Sequence, residues 1–281
     1  MSYNDFDTLL VSKSGRPGVL HVQLNRPNKR NAMNALFWAE FRTCFERVAE
    51  DTGVRSVVIS GVGDHLSAGL DLTDMSEMNA IIKGTNDVAR RAVRFRKLAL
   101  SMQESFTAVE RCPQPVVAAV HGSCVGAGVD MICACDIRLC SSDAVFSIAE
   151  VKVGLAADVG TLQRMPKIVG NTSLCRELAF TGRTFGADEA ERMGLVSRVC
   201  QGGNGADPGG KSDRDMVVGV ALDLAAEIAL QSPVAVFGTK RNLTYSLDHG
   251  VSDGLEYAAT WSGAALQTED IQELWEGRLG S

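Results

Sequence analysis

No stretch of this sequence has the spacing of a metal site. The four histidines, His21, His65, His121 and His249, are scattered, and no paired Cys-x-x-Cys knuckles occur. Neither a G-x-G-x-x-G nor a P-loop is present, so the glycines are not arranged to cradle a nucleotide phosphate. A basic excess is missing too: 28 Lys and Arg stand against 34 Asp and Glu, a net charge of −6. A sequence-independent nucleic-acid binder needs a cationic surface to displace counterions, so that class is disfavoured. The longest apolar stretches, near 115–120 and 216–230, are too short or too interrupted to span a bilayer. The acidic opening MSYNDFDTLL reads as neither a secretory signal nor a transit peptide, and GRLGS is not a Ser-Lys-Leu type ending. The compartment stays open.

What is present is the composition of a globular protein, 45% hydrophobic and 22% charged. Its 281 residues suffice for one large domain, or a core with a small appendage. The eight cysteines (44, 112, 124, 133, 135, 140, 175 and 200) are expected to be small buried thiols rather than disulfides.

Along the chain, VLHVQL (19–24) alternates as a strand and Asn25-Arg26-Pro27-Asn28 breaks it. Residues 34–50 repeat apolar positions at helical spacing. VRSVVIS (54–60) reads as a buried strand, and a Gly-containing loop, 61–72, follows. A polar helical stretch covers roughly 86–110, where Arg90, Arg91, Arg94, Arg96 and Lys97 look like a solvated face. Strands are expected at 113–120, IRLCS, VFSI and LVSRVC, with a short helix inside HGSCVGAGVDMICACD. Two helices should follow Asp158, the second opened by Asn171 or Thr172 and stopped by Gly182. Residues 214–278 are almost wholly helical in pattern. Alternation giving way to a helical tail implies an α/β core with parallel pairing.

Three carboxylates sit in company too apolar for them: Asp130, Glu150 and Asp158. Each has an ordinary explanation taken singly. Asp130 stands in a helix's first turn, Glu150 ends a strand, and Asp158 could be the N-cap of the helix beginning VGTLQR. The loops SAGLD (67–71) and VGAG (125–128), each after a buried strand, change the weighting. Two facing backbone N–H groups would hold a carbonyl oxygen that becomes an oxyanion. With carboxylates nearby and no Ser/His or Cys/His pair, the chemistry indicated is proton abstraction beside a carbonyl.

The stretches NRPNKRNAMN (25–34), SAGLDL (67–72), PVVAAVHGSCVGAGVDMICACDIRLCSSDAVFSIAEVKVGL (115–155) and GTLQRMPKIVG (160–170) resemble the enoyl-CoA hydratase/isomerase, or crotonase, superfamily. Several independent loops match in the right order, from about residue 8 to about residue 275, departing mainly at 201–213. The resemblance implies an α/β ClpP/crotonase-like spiral of βαβ units: a core over 1–200, a flexible Gly-rich insert at 201–213 and a helical trimerisation region over 214–281. Relatives are homotrimers or homohexamers, dimers of trimers, acting on acyl-CoA thioesters without a cofactor beyond the substrate's own coenzyme A.

Within the superfamily, Asp130, Glu150 and Asp158 together resemble the dienoyl-CoA isomerase branch, which moves a proton between C2 and C6 to convert 3,5-dienoyl-CoA into 2,4-dienoyl-CoA. The resemblance carries the oxyanion hole to the N–H groups of Leu70 and Ala127. Ala127 replaces a more usual glycine. It carries substrate contact to Ala68, Gly69, Leu70, Asp71, Leu72, Ala127 and Gly128. Arg26, Lys29 and Arg30 become candidates for the coenzyme A phosphates, and Lys240 for a neighbouring subunit's ligand. The implied compartment is a mitochondrial or peroxisomal matrix in a eukaryote and the cytoplasm otherwise. Open alternatives are a 2-enoyl-CoA hydratase, an RNA-binding relative and a silent scaffold.

Overall fold

Strands made of Val, Ile and Ala with no polar alternation must be covered on both faces, and that requirement organises the chain. The computed structural model describes residues 2–74, 76–201, 212–272 and 275. Most of the Gly-rich stretch expected to be flexible therefore lies outside the described residues.

The chain opens with β1 (Leu9–Lys13) and β2 (Val19–Leu24), followed by helix α1 (Ala35–Glu50), which the Asn34 side chain caps. Next come β3 (Ser56–Gly61), α2 (Ser76–Lys83), α3 (Val88–Arg111) and β4 (Val116–Val120). β5 (Ser123–Val125), α4 (Ala127–Cys133), β6 (Ile137–Ser141) and β7 (Val145–Ser147) lead to a 3-10 turn at Glu150–Val153. Then follow α5 (Thr161–Ile168), α6 (Thr172–Thr181), β8 (Phe185–Gly186), α7 (Ala187–Arg192) and β9 (Arg198–Cys200). Three helices close the described chain: α8 (Asp213–Ala229), α9 (Pro233–Ser246) and α10 (Val251–Ala265).

The main sheet runs β1-β2-β3-β4-β6-β9, antiparallel only between β1 and β2; a smaller sheet runs β5-β7-β8. Side chains alternate across the main sheet with period two. Val57, Ile59, Val116 and Ala118 enter a core with Phe37, Phe41, Phe45 and Phe106 from α1 and α3. Val58, Val117, Ala119 and Leu139 meet Val217, Ala221, Leu222 and Ala225 of α8 on the other face. The first helix of the C-terminal region is thus part of the core.

Beyond it the burial stops. α10 has no buried residue and α9 buries only Gly238 and Lys240, leaving Leu230, Leu243, Val251, Leu255 and Leu266 exposed. Among the described residues no single helix is long and apolar enough to cross a membrane; α8 and α9 pass that test only as a pair, bent by 111°. Arg90, Arg94, Arg96 and Lys97 are exposed on α3, the solvated face expected of them. All eight cysteines are buried and unpaired, and burial pushes every thiol pKa up, which suppresses thiolate chemistry.

Candidate active site

The two Gly-containing loops meet beyond the ends of β3 and β4. Single bridges join Met33 to Leu70 and Ser67 to Cys124, both parallel. In the first, Met33 N–H donates to Gly69 C=O at 2.8 Å and Asp71 N–H donates to Met33 C=O at 2.9 Å. That pattern turns the intervening Leu70 N–H away from the bridge. Neither Leu70 N–H nor Ala127 N–H, at the start of α4, meets a protein acceptor among the described residues. Gly69 has φ +85°, and a Cβ there would lie 2.6 Å from Val125 O and 3.3 Å from Ala127 N. Glycine is therefore required both for the backbone turn and for the approach of the two donors. Two backbone N–H groups without acceptors in neighbouring loops have the chemistry to hold a carbonyl oxygen that gains charge.

Helix α1's approach segment fastens this loop. The Asn31 side chain donates to Val62 O at 3.0 Å and to His65 O at 2.8 Å, and Ser67 Oγ donates to Asn31 O at 2.9 Å. Asp71 is buried; hydrogen bonds from Thr73, with the Arg26 guanidinium 2.9 Å away, hold its carboxyl down at about 2. Arg26, a candidate for a coenzyme A phosphate, is thereby engaged inside the chain, while Lys29 and Arg30 stay exposed. Leu72 is exposed beside them.

Glu150 opens the 3-10 turn after β7, with its carboxyl against the second loop. A Cβ on Gly126 would lie 3.2 Å from Glu150 Oε1, so glycine leaves room for the acid next to the Ala127 N–H. Glu150 Oε2 is buried without a hydrogen-bond partner among the described residues. Desolvation, reinforced by the charges of Asp130 and Asp158, raises this carboxyl to about 7. A buried carboxyl that exchanges its proton near neutrality is suited to act as a general base.

Asp130, in the first turn of α4, is 1% exposed and accepts the Thr161 N–H at 2.5 Å. Desolvation raises it to about 6, with the Thr161 contacts and the Arg164 charge opposing and Asp158 adding. It serves as the cap of α5 from 31 residues away. The local rule that gives Asp158 to that cap fails: Gly160 is the N-cap residue and no side chain of the segment caps the helix. Asp158 is exposed, and its carbonyl accepts Gln103 Nε2 at 2.7 Å. The charges of Asp130 and Asp158 act on Glu150 and that of Asp158 on Asp130, so the three acids share one neighbourhood, with Glu150 against Gly126.

Lys240 is not available to a neighbour's ligand. It is buried, and its Nζ donates to Val109 O and Gln114 O at 3.1 Å and to Asp136 Oδ2 at 2.7 Å. Its long apolar stem hides this in the sequence, where any lysine reads as a surface charge. Gln103 and the Arg26–Asp71 pair also escape sequence reading, because their partners are 55 and 45 residues away.

The enoyl-CoA hydratase/isomerase family matches residues 14–279. A mitochondrial Δ3,5-Δ2,4-dienoyl-CoA isomerase from Homo sapiens is 52% identical over 95% of this chain and 78% of its own length. A peroxisomal protein of that name from Arabidopsis thaliana is 40% identical over 97% and 94%. Among solved structures, an enoyl-CoA hydratase from Bacillus anthracis superposes with a TM-score of 0.82 at 24% identity, covering 97% of this chain and 96% of its own. The fold is therefore the crotonase fold with a helical C-terminal region, and the chain belongs to the enoyl-CoA hydratase/isomerase family.

Proposed function

We propose that the chain isomerises 3,5-dienoyl-CoA to 2,4-dienoyl-CoA. The observation that carries the reading is an exposed Asp158 that caps nothing, beside a second acid, Glu150, poised to exchange its proton near neutrality. The isomerases named among its relatives support the same substrate.

With the thioester oxygen between the Leu70 and Ala127 N–H groups, C2 lies one bond beyond the carbonyl carbon, on the side where Glu150 abuts Gly126. The Glu150 carboxylate takes a proton from C2. The electron pair of the broken C–H bond spreads over the conjugated chain to the thioester oxygen, and the two N–H donors stabilise the charge. Asp158 then delivers a proton to C6; the carbonyl re-forms and the double bonds settle at C2 and C4. Glu150 leaves protonated and Asp158 ionised, and proton exchange resets them. Two separated acids suit this better than one, because the carbons are several bonds apart. Every step is a proton transfer, so no redox cofactor is called for. A hydratase needs both acids on one water at C3, whereas Asp130 is committed to α5.

The exposed apolar residues of α9 and α10 support assembly as a homotrimer or a dimer of trimers. Mitochondrial and peroxisomal relatives support an organelle matrix if the source is eukaryotic.

The test is Asp158→Asn. The change preserves size and removes proton transfer; turnover of 3,5-dienoyl-CoA, followed by the product's longer-wavelength absorbance, should fall roughly 10²–10⁴-fold. Melting temperature should stay put, since no helix cap is lost. Near wild-type isomerisation by the folded variant would reject the reading and put the hydratase in front.

A further inference from the structure

Between the 3-10 turn and α5 the chain is held by the burial of Ala157 and Val159 and by few hydrogen bonds. Among the described residues, no N–H of residues 156–160 meets a protein acceptor. Two backbone groups fasten the segment: Thr161 N–H to Asp130, and Asp158 C=O to the side chain of Gln103 on α3. One turn into α5, Arg164 reaches back to α3, to Thr107 Oγ1 at 3.2 Å and Glu110 Oε2 at 2.8 Å. Gln103, Thr107 and Glu110 are spaced by four and three, so they form one stripe of α3. A cavity of about 380 Å³ opens beside that stripe, lined by Gln103, Glu110, Val159, Gly160 and Arg164 among others. Ala157 and Val159 are buried in the main core, and Asp158 between them is exposed. The Gln103 amide is the contact that reaches the residue carrying the outer acid.

We propose that Gln103 is a positioning residue that fixes Asp158 for proton delivery to the far end of the conjugated chain, a role that rests on the isomerase reading above. It touches no reacting atom. It holds the carbonyl of Asp158, and therefore the origin of its side chain, where the chain between the buried Ala157 and Val159 comes to the surface. Glu150 and the oxyanion donors are anchored elsewhere, so the Gln103 effect belongs to one of the two proton transfers and not to both.

The test compares wild type with Gln103→Met, which keeps length and helix propensity while losing the donor. Turnover of 3,5-dienoyl-CoA should fall roughly 10–10²-fold, the scale on which a small misplacement of a reacting group acts. KM should change little. Solvent deuterium appearing at C2 of the recovered substrate, followed by NMR, should not fall, because that exchange uses Glu150 alone. Adding Gln103→Met to Asp158→Asn should give no further loss, since the two act in series. Amide exchange at Thr161, whose N–H is bonded to Asp130, should rise, a readout independent of activity. Unchanged turnover in a folded Gln103→Met protein, an equal fall in C2 exchange, or additive losses in the double variant would each overturn the role. A wild-type chain unable to isomerise the substrate would instead sink the functional reading.

Discussion

Residues 67–71 and 156–160 both serve the site and are built to opposite rules. In the first, the N–H groups of Ser67, Ala68, Gly69 and Asp71 are all bonded, to Ser123 O, Arg30 O, Ser67 Oγ and Met33 O, and only Leu70 N–H is left over. In the second, no N–H has a protein acceptor among the described residues, and burial of Ala157 and Val159 rather than hydrogen bonding holds the backbone. The difference follows from what each must do. Donors that stabilise a developing charge are effective because they need no reorganisation, so their backbone is locked on every side. An acid that serves a carbon several bonds from the thioester needs reach, and a few tethers suffice to aim it.

The comparison breaks most visibly at the acids. Glu150→Gln should lower turnover roughly 10²–10⁴-fold, as Asp158→Asn should. The two should part in deuterium exchange at C2, which Glu150→Gln abolishes and Asp158→Asn leaves running. If both lose the exchange together, the division of labour between the two sides is wrong.

A smaller effect comes from two glycines in the same left-handed backbone region. At Gly69 (φ +85°) an added Cβ would press on Val125 O and the Ala127 N–H; at Gly154 (φ +79°) it would meet nothing within 4 Å. Both substitutions should cost about 1–2 kcal/mol of stability from backbone strain, and Gly69→Ala more than Gly154→Ala because its Cβ also presses on Val125 O. Gly69→Ala should also lose roughly 10²–10³ in kcat, the scale of one oxyanion donor. Gly154→Ala should leave turnover nearly intact. Equal kinetic losses would mean that the turn leading into residues 156–160 is as finely set as the loop at 67–71.

How much of this was legible depended on the distance over which each signal acts. VLHVQL is β2 residue for residue, and Asn171 and Gly182 bound α6 as their local chemistry requires. Glu150, Asp158 and the two Gly loops announced themselves through apolar neighbours. β1 was missed because it is a half-exposed edge strand with weak alternation, and β8 because it has two residues. The cap of α5 escapes local reading for a clearer reason. A local rule chooses the nearest acid, Asp158, whereas the fold delivers Asp130 from another helix. Lys240 was read as a reach toward a neighbour, and its partners lie in its own chain, on segments more than a hundred residues earlier.

The mildest prediction concerns stability and asks whether Glu150 is held in a truly dry place. Unfolded, its carboxyl titrates at the ordinary 4.5; folded, at about 7. Between those values the folded protein keeps a proton that the unfolded chain has released, so stability falls as pH rises through this window. Gln cannot ionise, and its amide has nearly the carboxyl's shape. Glu150→Gln should therefore unfold at higher urea than wild type at about pH 8, by up to about 3 kcal/mol and less to the extent that water reaches the half-buried group. The gap should close as pH falls below 4.5, where both states of the wild type carry the proton. An inactive variant more stable than its parent, only at neutral and alkaline pH, would mean that the site holds its base at the expense of the fold. Identical urea midpoints at both pH values would mean that Glu150 is solvated. Its readiness to take the C2 proton would then have to come from the substrate displacing water, and not from the protein alone.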